Sequence, residues 1–323
     1  MNKQGAGLAA ATVFVLVTLA GALRGGAQNL QFTSLDVPRA ISTHVRGVDS
    51  EGTIVGFYID QSKKSHGFLR SPRGELTFPL DYVNKSVPVA GTVINKIDPQ
   101  GETLIGWWSD SASVLHGLVM DRRRNTSVSF DFPTPVVLAT IPNGINKSGE
   151  ITGAYTDSSE HSHGFVANVS CLSKPTCYQS IDFPKQQDTE LGGVNDKGEI
   201  VGEYSEAEGR TVSFLLKGGK FSVLRISSPQ VHARAINNLG QIVGSYISAS
   251  QAAAKEPKST PDKGSGSSHG FLLPPTGDLR NIDFPGVDTQ ETGIGAINDS
   301  GTIVGHYNSR DSVSHGFVAV PNN

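Results

Sequence analysis

Two His-x-Arg pairs are the residues of this sequence best suited to bind a charged ligand. His44 and Arg46 form one pair, and His232 and Arg234 form the other; each arginine lies three residues before an Asp or Asn that opens an Asx-x-x-Gly segment. A guanidinium group offers a planar fork of N–H donors that matches a carboxylate or a sulfate. If the fold brings the two pairs together, they form a pocket for an acidic group; if it does not, they are ordinary solvated charges.

Three more polar residues precede the same kind of segment elsewhere in the chain. The predicted ligand-binding set is His44, Arg46, Asn95, Asn143, Glu190, His232 and Arg234. A second interpretation is catalytic, because Asp188, Glu190, His232 and Asp288 could supply the acid and the base of a carbohydrate-active hydrolase or lyase. The sequence contains no phosphate-binding loop and no zinc motif, so we predict no catalytic residues, no metal and no cofactor.

Five other histidines recur at equivalent positions of the sequence, and such a series could be interpreted as a set of metal ligands. They are His66, His116, His163, His269 and His315, and a sixth equivalent position holds Val212. This histidine is present in nearly every copy, and its loss at one position does not interrupt the repeat. Hydrogen bonding inside each copy therefore explains it better than metal binding. The recurring Asn or Asp supplies one fixed oxygen per turn, whereas calcium needs six to eight, so we interpret it as a turn cap.

All these residues belong to a segment repeated six times. The copies read VDSEGTIVGFY, IDPQGETLIGWW, INKSGEITGAY, VNDKGEIVGEY, INNLGQIVGSY and INDSGTIVGHY. Their turn glycines are Gly52, Gly101, Gly149, Gly198, Gly240 and Gly301, at separations of 49, 48, 49, 42 and 61 residues. The long separation holds a low-complexity tract over about 249–266, which we predict to be a loop insertion. The remaining spacing indicates one structural unit of about 49 residues.

Each copy reads as four strands. The Asx-x-x-Gly turn separates strand A from a β-branched strand B that ends Gly-x-aromatic, a His-Gly-Phe strand C follows, and an alternating strand D ends at proline in most copies. A repeat of this length with four strands predicts blades of a six-bladed β-propeller, in which every blade is a four-stranded antiparallel sheet. Because the chain begins with a D strand, about residues 31–38, we expect that strand to complete the last blade and close the ring.

The repeat resembles the bacterial extracellular HAF-repeat family, in which a turn and strand of the type Ile-Asn-x-x-Gly-x-Val-x-Gly precede a His-Ala-Phe triplet. Here the triplet is His-Gly-Phe in four copies, His-Gly-Leu at 116–118 and Val-Ser-Phe at 212–214. The resemblance covers roughly residues 30–320. It implies export and a propeller-like fold, and it supplies neither an activity nor catalytic residues.

Export is also indicated by the first 27 residues, which read as a signal peptide. Lys3 precedes an apolar run over 8–19, and small residues offer cleavage after Ala22 or Ala27. We therefore expect one mature domain, 28–323, that is secreted, has no transmembrane span after cleavage and is monomeric. In an oxidising compartment, Cys171 and Cys177 are expected to form a loop-closing disulfide.

The balance of charge narrows the choice of partner. The chain has 27 basic and 30 acidic residues and a net charge of −3, with no basic block, which argues against nucleic acid. Function should lie where the copies differ, on the face where the D–A and B–C connections emerge. We expect a non-enzymatic binding or scaffolding module for an extracellular polysaccharide, peptide or surface partner. The alternatives are a carbohydrate-active enzyme using the same face and a structural matrix component.

Overall fold

The computed structural model describes residues 30–206, 209–248, 267–286 and 289–322. The predicted signal peptide and the predicted loop insertion lie outside these ranges. Within them, 24 strands form six four-stranded antiparallel blades, and a single parallel bridge between Ala139 and Leu115 joins blades two and three into one sheet. The predicted all-β propeller fold is confirmed.

The strands follow the predicted order A, B, C and D from the channel outwards. Strands A are β2 Ser42–Val48, β6 Gly91–Ile97, β10 Val137–Ile145, β14 Gln187–Val194, β18 Val231–Ile236 and β22 Glu291–Ile297. Strands B are β3 Ile54–Ile59, β7 Thr103–Ser109, β11 Glu150–Asp157, β15 Ile200–Ser205, β19 Ile242–Ile247 and β23 Ile303–Asn308. Strands C are β4 Ser65–Arg70, β8 Leu115–Asp121, β12 Ser162–Asn168, β16 Thr211–Lys217, β20 Ser268–Leu273 and β24 Ser314–Pro321. Strands D are β5 Leu76–Leu80, β9 Thr126–Phe130, β13 Gln179–Ile181, β17 Lys220–Val223, β21 Arg280–Asn281 and β1 Leu30–Leu35.

The ring closes through the first strand of the chain. β1 pairs antiparallel with β24, from Leu30 opposite Pro321 to Leu35 opposite Gly316, and supplies strand D of blade six. The predicted closure is confirmed, although the strand ends at Leu35, before the predicted limit at Pro38. Beyond Leu35 the chain turns towards strand A of blade one, and the Val37 N–H donates to Thr43 Oγ1 at 3.0 Å instead of to the ladder.

The phenylalanine of the His-Gly-Phe triplet fills the space between blades. Phe68, Phe165, Phe214, Phe271 and Phe317 have no exposed surface, and Leu118 takes the same place in blade two. Burying a side chain of this size stabilises a fold by about 1.5–3 kcal/mol. The triplet therefore persists in blade four as Val-Ser-Phe, because the blade needs the phenylalanine more than it needs the histidine.

The triplet histidine joins strand C to the carboxylate that follows strand D. The pairs are His66–Asp81, His116–Asp131, His163–Asp182, His269–Asp283 and His315–Asp36, with Nδ1 to carboxylate-oxygen distances of 2.7–3.1 Å. In blade four, Val212 replaces the histidine and Arg225 stands where the other copies have the aspartate. Loss of both partners in the same copy supports the structural interpretation of these histidines.

The turn asparagines cap their own turns and tie the blades together. Asn146 Oδ1 accepts the backbone N–H groups of Ser148 and Glu150, while its Nδ2 donates to the carbonyl of Asn195 at 3.1 Å. Three equivalent amides continue the ring, from Asn195 to Asn237, from Asn237 to Asn298 and from Asn298 to Asp49. Asp49 and Asp98 replace asparagine in blades one and two, and a carboxylate cannot donate this bond.

The predicted disulfide is present. Cys171 and Cys177 are bonded in the C–D connection of blade three, with their Cα atoms 5.6 Å apart. In the described part of the chain, no helix has the length and apolar character needed to span a membrane.

Candidate functional site

One end of the central channel, where strands A begin, gathers the charged residues that differ between copies. Strands A and B are paired so that His44 lies opposite Phe57, Glu190 opposite Glu203, and Gly293 opposite His306. We call this end the channel mouth. It lies on the face of the D–A and B–C connections.

Every strand A carries an irregularity in its register at the same place. The register shifts between Val45 and Gly47 in blade one and between Ala233 and Ala235 in blade five, so Arg46 and Arg234 are both the extra residue. Such a bulge leaves one residue without a ladder partner and re-aims its side chain. The same bulge therefore gives Arg46 and Arg234 equivalent positions in blades one and five.

Arg46 is the least compensated charge at the mouth. Its Cζ lies 5.4 Å from the centre of the Phe57 ring, and its Nε is buried without a hydrogen-bond partner. Within the described residues, its guanidinium forms no ion pair. Burial and the positive charge of Arg234 lower the pKa of Arg46 to about 10. The group is charged at neutral pH and has no anion of the protein to balance it.

Lys96 adds a third basic side chain near the two arginines. Its Nζ donates to the carbonyls of Arg46 at 2.9 Å and Gly295 at 2.6 Å, so the side chain crosses from blade two to blades one and six. The other copies have glycine or alanine here, because adjacent strands A approach closely: a Cβ on Gly193 would lie 2.7 Å from the Cα of Ala235. Burial, followed by the charges of Arg46 and Arg234, lowers the pKa of Lys96 to about 7.

Two histidines stack beside Arg46. The His44 ring stacks on the Phe57 ring with 4.6 Å between the ring centroids, and it contacts the His306 ring edge-on with 5.1 Å between centroids. Both Nδ1 atoms are buried without a partner. Burial, assisted by the charge of Arg46, lowers the pKa of His44 to about 4 and that of His306 to about 3. Both rings are therefore neutral at physiological pH.

The opposite side of the mouth carries carboxylates. Glu203 is 8% exposed and accepts a hydrogen bond from His232 Nδ1 at 3.0 Å, with Arg234 Nη1 at 3.8 Å. Burial would raise the pKa of Glu203, but Arg234 and His232 outweigh it and lower the pKa. Burial and the charge of Glu203 raise the pKa of Glu190. One glutamate is therefore held ionised and its neighbour is biased towards the protonated form.

The other predicted residues behave differently. Asn95 donates its amide to the carbonyl of Pro142 at 3.0 Å and to Asn143, and Asn143 donates to the carbonyl of Leu191 at 3.1 Å. Both amides are thus used between neighbouring strands A. Asp188 accepts from the backbone of Ser162 at 3.1 Å and contacts the His161 ring. Asp288 lies outside the described residues.

Sequence reasoning missed four residues of the mouth: Phe57, Lys96, Glu203 and His306. Three of them occupy one position, the x of Gly-x-aromatic in strand B, which reads Phe57, Trp107, Ala154, Glu203, Ser245 and His306 around the ring. Because this position varies strongly inside a constant motif, a comparison of the six repeats could have identified it from the sequence. Lys96 had a similar signal, because it is the one long side chain in a row of glycine and alanine.

The mouth therefore combines two arginines, a lysine with a pKa of about 7, three imidazoles and a carboxylate pair. In the described part of the chain, no group of three or more His, Cys, Asp or Glu side chains is arranged to hold a metal ion. Such a set can bind an anionic group through the arginines and can also transfer protons through its glutamates and His232.

Comparison with known proteins identifies the fold and no family. No family model and no curated protein sequence matches the chain. AofleA of Arthrobotrys oligospora has a similar structure, with a TM-score of 0.53 and 9% identity over 92% of this chain and 88% of that one. The Aleuria aurantia lectin in complex with α-methyl-L-fucoside has a TM-score of 0.52 and 10% identity, over 87% of this chain and 93% of that one. TolB of Acinetobacter baumannii has a TM-score of 0.49 and 9% identity, and this chain covers 65% of it.

Proposed function

We propose that this protein is an exported binding module that takes an acidic glycan at the channel mouth, with a carboxylate or sulfate of the ligand held by Arg46 and Arg234. The uncompensated guanidinium of Arg46 carries the proposal. A buried or half-buried charge without a counter-ion is costly, and an anionic ligand is the partner that would remove that cost.

The surroundings favour an anion over a cation. Arg234 and Lys96 interact electrostatically with Arg46, and all three charges have the same sign. His44 and His306 are neutral and can each donate one N–H. Glu203 is already engaged by His232 and Arg234, so it does not cancel the positive field at Arg46.

Three broader observations are consistent with a glycan ligand outside the cell. The lectin from Aleuria aurantia is a propeller of similar fold that was crystallised with a fucoside. The disulfide fits an oxidising compartment. The HAF-like repeat resembles proteins of the bacterial cell exterior, and the signal-peptide pattern agrees with export.

Binding assays on the purified protein test the proposal. Uronic-acid and sulfated oligosaccharides should bind, neutral oligosaccharides of equal length should bind much more weakly, and binding should weaken with added salt. Arg46→Ala should reduce affinity about 10- to 100-fold, because a charge-assisted hydrogen bond contributes about 1.5–3 kcal/mol. Arg123→Ala, at an exposed arginine paired with Glu102 on the outer turn of blade two, is the matched control.

Any of three results would overturn the proposal. Equal binding of acidic and neutral oligosaccharides would show that the cations do not select the ligand. Unchanged affinity in Arg46→Ala, with the same thermal unfolding as the parent protein, would place the ligand elsewhere. Absence of any glycan binding would leave the structural matrix role as the better explanation.

A further inference from the structure

A His–Glu dyad lies at the mouth beside the cations. His232 Nδ1 is 3.0 Å from Glu203 Oε2, and Glu203 is buried and ionised. An ionised carboxylate only accepts hydrogen bonds, so the proton of the neutral imidazole lies on Nδ1 and Nε2 has a free lone pair. A ring that is oriented in this way is equipped to act as a general base.

The reaction that such a base performs depends on the groups that surround it. Arg46, Arg234 and Lys96 would neutralise a bound carboxylate. Neutralising a carboxylate makes the adjacent C–H more acidic, because negative charge that develops on the carboxylate oxygens in the transition state is stabilised by fixed cations. The mouth is thus suited to removing a proton from the carbon next to a carboxylate.

An acid is available for the leaving group. Glu190 lies directly opposite Glu203 in the β14–β15 pair, where Cβ atoms are about 4.5–5.5 Å apart. Two carboxylates this close resist simultaneous ionisation, and Glu203 is the one that is hydrogen-bonded to His232. Arg234 and His232 also lower the pKa of Glu190, but burial and the charge of Glu203 outweigh them and raise it. Because the pKa of Glu190 is raised and that of Glu203 is lowered, Glu190 is the member of the pair that takes up a proton first.

We propose that the channel mouth cleaves 4-O-linked uronic acid residues by β-elimination, with Arg46 and Arg234 holding the uronate, His232 as the base and Glu190 as the acid. This inference rests on the proposed binding of an acidic glycan at the same place. It commits the ligand to a uronate, because a sulfate has no adjacent carbon acid.

The step balances without a cofactor or a water molecule. His232 Nε2 takes the proton from C5 of the uronate, and the C5–H electron pair forms the C4=C5 double bond. The C4–O4 bond breaks, and the departing oxygen takes the proton of Glu190. The products are an unsaturated uronate and a shortened chain with a free hydroxyl, after which His232 returns its proton to solvent and Glu190 regains one.

Hydrolysis by a carboxylate pair fits the geometry less well. That mechanism needs a second carboxylate that is free to attack the sugar or to activate water. Glu203 is instead 8% exposed and bonded to His232, with Arg234 on its other side. It can orient His232, and we assign it as a positioning residue.

The test uses the purified protein and a panel of uronic-acid polysaccharides that differ in sugar and linkage, with neutral polysaccharides of similar length as the control. Elimination gives a conjugated double bond that absorbs in the ultraviolet, and each product pair is lighter by one water molecule than the products of hydrolysis. Calorimetry with short oligouronates measures binding separately. Binding together with the unsaturated product is the expected result.

Variants assign the roles. His232→Gln and Glu190→Gln should each lower kcat about a hundredfold or more with oligouronate binding retained, as expected for a general base and a general acid. Glu203→Gln should lower kcat, leave KM unchanged and shift the pH profile of kcat. His269→Gln is the matched control in the same blade, because His269 bonds Asp283 away from the mouth. It should leave turnover unchanged.

The outcomes separate this inference from the proposed function. Oligouronates that bind at Arg46 and yield no unsaturated product across the panel would overturn the elimination and leave the binding role intact. Absence of uronate binding would overturn the elimination, and absence of both uronate and sulfated-glycan binding would overturn the proposed function as well. Unsaturated product formed at the parental rate by folded His232→Gln would overturn the assignment of the base.

Discussion

Replacing Arg46 by methionine should stabilise the fold while it abolishes anion binding. The pKa of Arg46 falls from 12.5 to about 10 because the group is buried and faces Arg234. At about 1.4 kcal/mol for each pKa unit, keeping this group charged costs the folded state about 3 kcal/mol. Methionine keeps the unbranched stem that packs near Phe57 and removes the charge.

The expected gain is smaller than this upper figure. Arg46 is partly exposed, so solvent screens some of the repulsion, and we expect a gain of about 1–2 kcal/mol. For a chain of this size, each kcal/mol raises Tm by about 1–2 °C. The sign follows from linkage: a cation with a lowered pKa destabilises the folded state at every pH below its folded value, and the cost disappears only as the group loses its proton.

Urea unfolding and calorimetry at pH 7, each with and without an oligouronate, measure both effects. The parent protein should gain stability when ligand is added, and Arg46→Met should start from a higher Tm and gain nothing. Arg123→Met is the control for loss of an exposed arginine and should change neither quantity by much. A lower Tm for Arg46→Met would refute the conclusion that Arg46 is an uncompensated charge kept for binding.

Three further predictions concern the scaffold. Asp49→Asn and Asp98→Asn should each add the missing inter-blade hydrogen bond and stabilise the protein by about 0.5–1.5 kcal/mol in urea unfolding, and a loss of stability would show that the amide ring is not limiting. Asp182 and Asp157 raise the pKa of His163 against the effect of burial, so the stability that this ion pair adds is complete below pH 6.5 and is lost as pH rises through the folded pKa. His163→Gln should therefore destabilise the protein more at pH 5 than at pH 8. An equal loss of stability at both pH values would contradict this linkage. Val212→His with Arg225→Asp should restore the pair in blade four, and a double-mutant cycle should give a favourable coupling of about 0.5–1 kcal/mol at pH 5, whereas additive effects would mean that the pair does not form.

The repeat made the architecture predictable. Six copies with the same turn and strand pattern predicted the six blades, the order of strands and the closure by the first strand, because a small sheet that repeats every 49 residues must bury its faces against its neighbours. The histidine assignment was also predictable from the loss at Val212. The sequence carried a further clue that sharpens it, since Arg225 replaces the matching aspartate in the same copy.

The site was only partly predictable. Ligand binding by His44, Arg46, Glu190, His232 and Arg234 stays a prediction. The amides of Asn95 and Asn143 are used between strands. Strand B contributes Phe57, Glu203 and His306, and these residues lie outside strand A and the loop before it. The reason is that the mouth is lined by two strands of every blade.

The sequence by itself determined the repeat, the turns, the buried phenylalanines and the disulfide, because these depend on local patterning and on spacing along the chain. The tertiary structure alone decided which charges meet. Arg46 and Arg234 lie 188 positions apart in the numbering and become neighbours only because the ring closes and each strand A bulges at the same residue. Whether a guanidinium is paired depends on distances across the channel, and a one-dimensional pattern contains no such distances.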